Sequence, residues 1–176
     1  MTMLMKTLRG APALSDFRVK KLLAQCAELQ LPVTDIYAEF THFAHISADL
    51  NDEEFKVLQQ LLKYGPTIEE HEPVGQFLLV TPRPGTISPW SSKASDIAHL
   101  CGLSELNRVE RGITYHFDKA LNEDSINKVL SIIMDRMTES FLKDNADAHL
   151  LFDELTPKTS QSIDILSGGK AALEQA

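Results

Sequence analysis

The order strand, helix, strand, helix runs through this sequence twice, and that duplication restricts the possible folds more than any other feature. A shift of 71 residues (122 minus 51) lays Glu39 on Glu110, His45 on His116, Leu50 on Leu121 and Asn51 on Asn122. Asp52 and Glu53 then fall on Glu123 and Asp124, and Phe55, Leu58, Leu61 and Leu62 on Ile126, Val129, Ile132 and Ile133. The identities gain weight because strand phase, helix cap and apolar stripe recur in step. A half with two strands cannot build a stable sheet alone. Two halves can share one antiparallel or mixed sheet covered by helices. The expected fold class is therefore α+β: duplicated β-α-β-α halves forming a pseudo-twofold sheet with helices packed on it. This domain is expected over 1–143, in halves of about 1–72 and 73–143, with 144–176 as a linker and the start of a further unit.

Local patterns place the elements. Met3–Arg9 reads as a strand turned at Ala11–Ala13. Ser15 caps a helix to about Gln30 whose apolar residues, Phe17, Leu22, Leu23, Cys26 and Leu29, lie mostly on one face. Ile36–Ile46 alternates as a strand, with Ala38, Phe40, His42, Ala44 and Ile46 on one side and Tyr37, Glu39, Thr41, Phe43 and His45 on the other. Asn51 and Glu54 form a capping box for a helix stopped by Gly65–Pro66. Residues 67–75 are acidic and turn-rich, and Phe77–Thr81 is a short buried strand. A helix is expected from about Ser91 to Leu100 with Gly102 at its end, then a strand over Leu106–Phe117. Asn122 starts a helix expected to reach about Leu142, with Ile126, Val129, Leu130, Ile133 and Met137 as its apolar positions. Beyond it, residues 144–162 are polar except for Leu150–Phe152, which suggests a short helix or turn and then a linker. Ile163–Leu166 reads as a short strand or anchor, and Lys170–Ala176 as a helix that has just begun, which suggests a fragment of a longer protein.

Charge and composition exclude several functions. With 17 Lys and Arg against 25 Asp and Glu, the formal charge of −8 argues against broad binding of a phosphate backbone. No apolar run is long enough to span a membrane and no secretory h-region opens the chain, so a cytoplasmic location is expected. Cys26 and Cys101 sit in apolar helical contexts and are expected to be reduced core residues.

Catalytic patterns are sparse. No GxxxxGK[ST], HExxH or GxSxG occurs. His42 and His45 face opposite sides of a strand, which disfavours a shared metal. His99 and Cys101 are two apart on a helix and point differently, so no Cys–His pair is expected. Glu39 with Glu110, or Asp52 with Glu53, has the composition of an acid–base dyad, but capping and strand-edge pairing account for them more simply.

The stretch 81–93 differs. Thr81, Arg83, Thr86, Ser88, Ser91, Ser92 and Lys93 set hydroxyls and two cations around a Pro-Gly-Pro frame, beside Trp90. Two readings are open. In one, helix amides after Ser91 receive an anion strengthened by Lys93, Arg83 grips a carboxylate or phosphate, and Trp90 anchors a partner. In the other, Ser91 caps the helix, Trp90 fills the core and Arg83 pairs with a local acid such as Glu110. A second polar group, Arg108, Glu110 and Arg111, lies in the following strand, with Arg108 and Glu110 on one side and Arg111 among apolar neighbours on the other. Arg111 therefore needs a partner across the sheet or at a domain contact.

These residues also carry a resemblance. LRGAPALSDFRVKKLL at 8–23, IYAEFTHF at 36–43, LNDEEFKVLQQLLKYGP at 50–66, LLVTPRPGTISPWSSKASDIAHLCGL at 78–103 and NRVERGI at 107–113 resemble the N-terminal region of large single-chain phosphoribosylformylglycinamidine synthase. TPRPGTISPWSSKA is the most specific of these, and the resemblance loosens over 118–165. It implies an N-terminal domain like a fused dimer of the small subunit found in split versions of that enzyme. The whole enzyme is a ligase of purine biosynthesis and a glutamine amidotransferase that uses ATP and magnesium. Its synthetase, linker and glutaminase domains are the implied partners. The resemblance implies no catalytic residue, metal or cofactor within this chain, and neither nucleic-acid nor membrane partners. Thr81, Arg83, Thr86, Ser88, Trp90, Ser91, Ser92, Lys93, Arg108 and Arg111 become candidates for an interdomain or ligand-facing surface, one that can drive artificial self-association when its partner is missing. A small-molecule-binding regulatory module is the alternative.

Overall fold

A computed structural model describes residues 4–66, 74–153, 159–160 and 162–174. Strand β1 (Leu4–Pro12) leads to α1 (Asp16–Glu28), β2 (Ile36–Ile46) and α2 (Asp52–Leu61). Then come β3 (Gln76–Pro82), α3 (Pro89–Leu100), β4 (Leu106–Phe117) and α4 (Glu123–Ile133). A short β5 (Glu139–Leu142), a 3-10 helix (Asn145–Phe152) and α5 (Ile165–Glu174) complete the order. The strands form one sheet in the order β1-β2-β4-β3-β5, antiparallel at every pairing. It is thus a mixed α+β fold with repeated β-α units. The two long strands β2 and β4 lie side by side at its centre, with Thr41 opposite Gly112 and His42 opposite Arg111.

Burial follows the alternation of β2. Ala38 packs with Leu22 and Cys26 of α1 and Val129 of α4, while Ala44 and Ile46 pack with Leu58 and Leu62 of α2 and Ala98 of α3. The row carrying these alanines is therefore the helix face. Phe43, from the other row, packs with Leu79, Leu142 and the 3-10 helix residues Ala148, Leu151 and Phe152. The apolar knot at Leu150–Phe152 thus covers part of the second face, so β2 and β4 are buried on both sides there.

The capping expectations at Ser15, Asn51 and Asn122 correspond to observed caps: each side chain accepts a backbone amide of the first helical turn. Asn51 Oδ1 accepts from Glu53 N at 3.0 Å and Glu54 N at 2.9 Å, and Glu54 Oε2 accepts from Asn51 N at 2.9 Å. Asn122 accepts only from Ser125 N, at 2.8 Å. Asn51→Ala should therefore lower stability by about 1–2 kcal/mol and Asn122→Ala by less, read from urea unfolding midpoints at constant slope.

Several local expectations need correction. β1 continues through a register shift to Pro12 instead of turning at Ala11. The helix expected to reach Leu142 stops at Ile133. Asp135 is the physical cause: its carboxylate accepts from Met137 N at 2.8 Å, and its carbonyl accepts from Glu139 N at 2.8 Å. An aspartate that satisfies nearby amides competes with the helix. The chain turns back and adds β5 to β3, leaving Met137 79% exposed instead of on a buried stripe. Cys26 is buried, as expected, but Cys101 is exposed just past α3. Ile163–Leu166 is neither strand nor anchor, because α5 begins at Ile165 and Leu166 is fully exposed. Residues 67–73 of the expected acidic turn, 154–158 and 161 of the expected linker, and the last two positions of Lys170–Ala176 lie outside the described residues.

Candidate functional site

The 81–93 stretch has an anchored side and a bare side. Thr81, next to last in β3, is fully buried, and Arg83 N donates to Thr138 O at 3.1 Å. Thr86 closes a turn, its N–H and hydroxyl both donating to Arg83 O at 3.2 and 2.6 Å. Gly85, at φ 76°, holds the left-handed conformation that this turn needs. The helix then starts earlier than expected. Ser88, not Ser91, is the cap: its Oγ accepts from Ser91 N at 3.0 Å, with Pro89 in the first turn where a missing N–H costs nothing.

This start relocates the expected anion. Ser88 N and Oγ donate to the two oxygens of Glu110 at 3.2 and 2.8 Å. Ser92 N already donates to Ser88 O at 3.2 Å. The first turn of α3 is thus served from within the fold, by a carboxylate at its positive end. Glu110 is fully buried. Its other neighbour is Arg108, whose Nε lies 3.9 Å from Oε1, whose guanidinium donates to Leu151 O and sits 4.9 Å from the Phe152 ring centroid. The suggested Arg83–Glu110 pair does not form; Arg83 instead donates to Met137 O at 3.4 Å. Glu39, the repeat counterpart of Glu110, is gripped by Arg9 through two bonds of 2.8 and 2.7 Å and by Tyr37 at 3.1 Å. Both glutamates hold the fold together and neither faces the other as an acid–base dyad.

On the helix face, Arg111 finds aromatic partners. Its guanidinium lies 4.3 Å from the Phe40 ring centroid, 4.9 Å from Trp90 and 5.9 Å from Tyr64, and donates to Tyr64 Oη at 3.1 Å. No carboxylate is paired with it among the described residues. His42, directly across the sheet, shares a 2.7 Å hydrogen bond with the same tyrosine oxygen and packs on Trp90 at 5.6 Å. Burial, reinforced by the Arg111 charge, pushes the His42 imidazole down to about 4, so it is neutral at pH 7. Sequence reasoning singled out Arg111 and Trp90 but missed Phe40, His42 and Tyr64. One signal was available: Phe40 is 71 residues before Arg111 (111 minus 40), so the ring under the guanidinium is its own repeat counterpart.

What remains exposed is specific. Arg83, Thr86, Ser92 and Lys93 face solvent, as does Ile87 at 61% exposure, which composition did not flag. Thr81, Ser91 and Ser95 turn inward, and Ser95 Oγ accepts from Val109 N at 3.1 Å. Trp90 is half-buried. It lines an apolar groove of about 240 Å³ between α2 and α3, together with Leu61, Tyr64, Lys93, Ala94 and Ile97.

Among the described residues no group of three His, Cys, Asp or Glu is placed to hold a metal, and no helix is long and apolar enough to cross a membrane. The Cys26 thiol is pushed up by burial, which makes it a poor nucleophile. A family model described as formylglycinamide ribonucleotide amidotransferase N-terminal matches residues 39–152. The match runs from the middle of β2 to the end of the 3-10 helix and contains every residue of the loop, the Glu110 cap and the Arg111 cluster.

Proposed function

Because this chain belongs to the formylglycinamide ribonucleotide amidotransferase N-terminal family and is the N-terminal module of that ligase, not its catalytic part, we propose that it couples the enzyme's other domains through the 81–93 face. The observation that carries this reading is the division of that loop. Thr81, Ser88 and Ser91 are committed to the sheet and to the α3 cap, whereas Arg83, Thr86, Ile87, Ser92 and Lys93 point outward. Neither Arg83 nor Lys93 has a carboxylate partner among the described residues. Exposed side chains on a rigid frame, two of them cations with no carboxylate partner among the described residues, fit a surface completed by another domain. Trp90, Arg108 and Arg111 support this face from behind.

The finer architecture belongs to the same proposal. The two halves are related by a pseudo-twofold axis near the Thr41–Gly112 pair, the one pairing in which repeat-equivalent residues oppose each other (112 minus 41 is 71). The duplicated domain spans 1–143, and 144–176 begins the connection to the next domain, with the 3-10 helix folded back on the sheet. The full-length enzyme, a cytoplasmic ligase of purine biosynthesis, binds ATP and magnesium in its synthetase region and glutamine in its glutaminase region. This module contributes no ligand to either.

The test mixes this chain with the separately expressed remainder of a full-length enzyme and monitors glutamine-dependent ligation. The proposal expects restored ligation from the mixture and none from this chain alone. In the full-length enzyme, Arg83→Ala should reduce glutamine-dependent turnover at least tenfold while glutaminase activity stays within about twofold. Turnover by the isolated chain, or unchanged coupling in the arginine variant, contradicts it.

A further inference from the structure

We propose that the groove between α2 and α3 docks an amphipathic polypeptide segment of the enzyme's catalytic remainder, one that inserts an aliphatic side chain and sets a carboxylate beside it. This inference rests on the interdomain reading of the 81–93 face and adds the surface and the chemistry of the occupant. Four observations lead to it.

The first is an asymmetry between the repeats. The repeat counterparts of α3 and α2 are α1 and α4, and these meet: Leu22 and Cys26 are buried with Val129, and Leu23 and Ile126 pack around them. Between α2 and α3 the corresponding space stays open as a groove of about 240 Å³. The second is its lining. Leu61, Tyr64, Trp90, Ala94 and Ile97 make it apolar, Ile97 is 51% exposed, and Leu100, one turn further along α3, is 87% exposed. An apolar strip left open on a helix is a contact surface waiting for cover.

Polarity and size then select the occupant. Small-molecule sites are usually about 300–1,000 Å³ and use several convergent polar groups. This groove is smaller, and its only hydroxyl, Tyr64 Oη, already serves His42 and Arg111. An inserted leucine-like side chain needs neither more volume nor a hydrogen bond. The fourth observation is charge. In a chain of net charge −8, Lys93 on the groove wall and Arg111 behind Tyr64 and Trp90 have no carboxylate partner among the described residues. A carboxylate flanking the aliphatic anchor complements both cations.

Trp90 is the only tryptophan of the chain, so 5-fluorotryptophan labels the groove alone. Binding of the labelled chain to the unlabelled remainder is measured by calorimetry and by the fluorine resonance. Wild type should bind with a shifted resonance. Ile97→Asp and Lys93→Glu should each weaken binding at least about tenfold, and Lys93→Glu should also flatten its salt dependence. Phe17→Asp, an apolar-to-acid change at a 76% exposed site on α1, should bind like wild type. Circular dichroism confirms that each variant is folded. If wild type binds and both groove variants bind equally well, the groove inference is overturned while the interdomain reading stands. If wild type does not bind, the interdomain reading itself falls. A saturable shift caused by free glutamate or inorganic phosphate replaces the segment with a small ligand. A concentration-dependent dimer abolished by Ile97→Asp replaces it with a second copy of the chain. Either result overturns the proposal.

Discussion

Glu110→Ala is expected to lower the unfolding free energy by about 3–5 kcal/mol, the cost of breaking a buried charge pair on one side. The magnitude comes from the groups that the carboxylate serves. It is fully buried, accepts both Ser88 donors and is the anion at the start of α3. Its removal leaves the Ser88 amide and hydroxyl without their acceptor. It also leaves Arg108, whose Nε is already buried without a hydrogen bond, as an uncompensated charge. Glu110→Gln keeps the shape and one acceptor and should cost about half as much. Glu39→Ala should cost less than Glu110→Ala although Glu39 holds two strong arginine bonds, because the Arg9 side chain is 37% exposed and water can rehydrate it. Urea unfolding of the three variants measures the order. A Glu110→Ala protein within about 1 kcal/mol of wild type would show that the α3 start does not depend on its internal anion.

Stability should fall by about 2 kcal/mol between pH 6.5 and pH 5 through His42 alone. Its folded value is depressed to about 4 from an ordinary 6.5. In this window the unfolded chain takes up the proton and the native chain does not, so stability is complete above about pH 6.5 and declines as pH falls towards 4. The 1.5 pH units from 6.5 to 5, at about 1.36 kcal/mol each, give the figure. His45 and His116 are also lowered, mainly by burial, and act with the same sign. His42→Gln should therefore flatten the dependence without abolishing it. Asp118, a carboxylate, acts with the same sign but in a more acid window. Bonds from Thr34 and Asp35 hold it well below the usual range, so its contribution is lost only at more acid pH and leaves the histidine window clear. A His42→Gln profile parallel to wild type from pH 7 to pH 5 would contradict the buried neutral imidazole.

The parts of the fold that were legible in the sequence are those decided by neighbours. The alternation of Ile36–Ile46 and Leu106–Phe117 marks both central strands at their observed bounds. The caps Ser15, Asn51 and Asn122 mark helix starts because an oxygen acceptor just before an apolar stripe satisfies amides two or three residues on. The misreadings share another cause: a local competitor hidden inside a plausible pattern. Asp135 ends α4 in the middle of an apolar periodicity, and Pro89 opens α3 where it looked like part of the loop. The correct cap was in reach through the repeat. Leu14-Ser15-Asp16-Phe17 parallels Ile87-Ser88-Pro89-Trp90 at a shift of 73 (88 minus 15), two more than the shift between the later caps. The connection before α3, residues 83–88, is also longer than its counterpart before α1, residues 13–15. Partnerships across the sheet were the least legible. The pairing of His42 with Arg111 and the meeting of Tyr64 with Trp90 depend on register and helix placement, which no single segment encodes.

Hydrogen exchange on this chain, free and bound to the remainder of the enzyme, tests most directly whether the 81–93 face meets the other domains. Slowed exchange is expected in peptides covering 82–93 and 57–64, with α1 and α4 unchanged. Protection confined to α1, α4 or the outer edge of β1, with the loop exchanging as in the free chain, would contradict it.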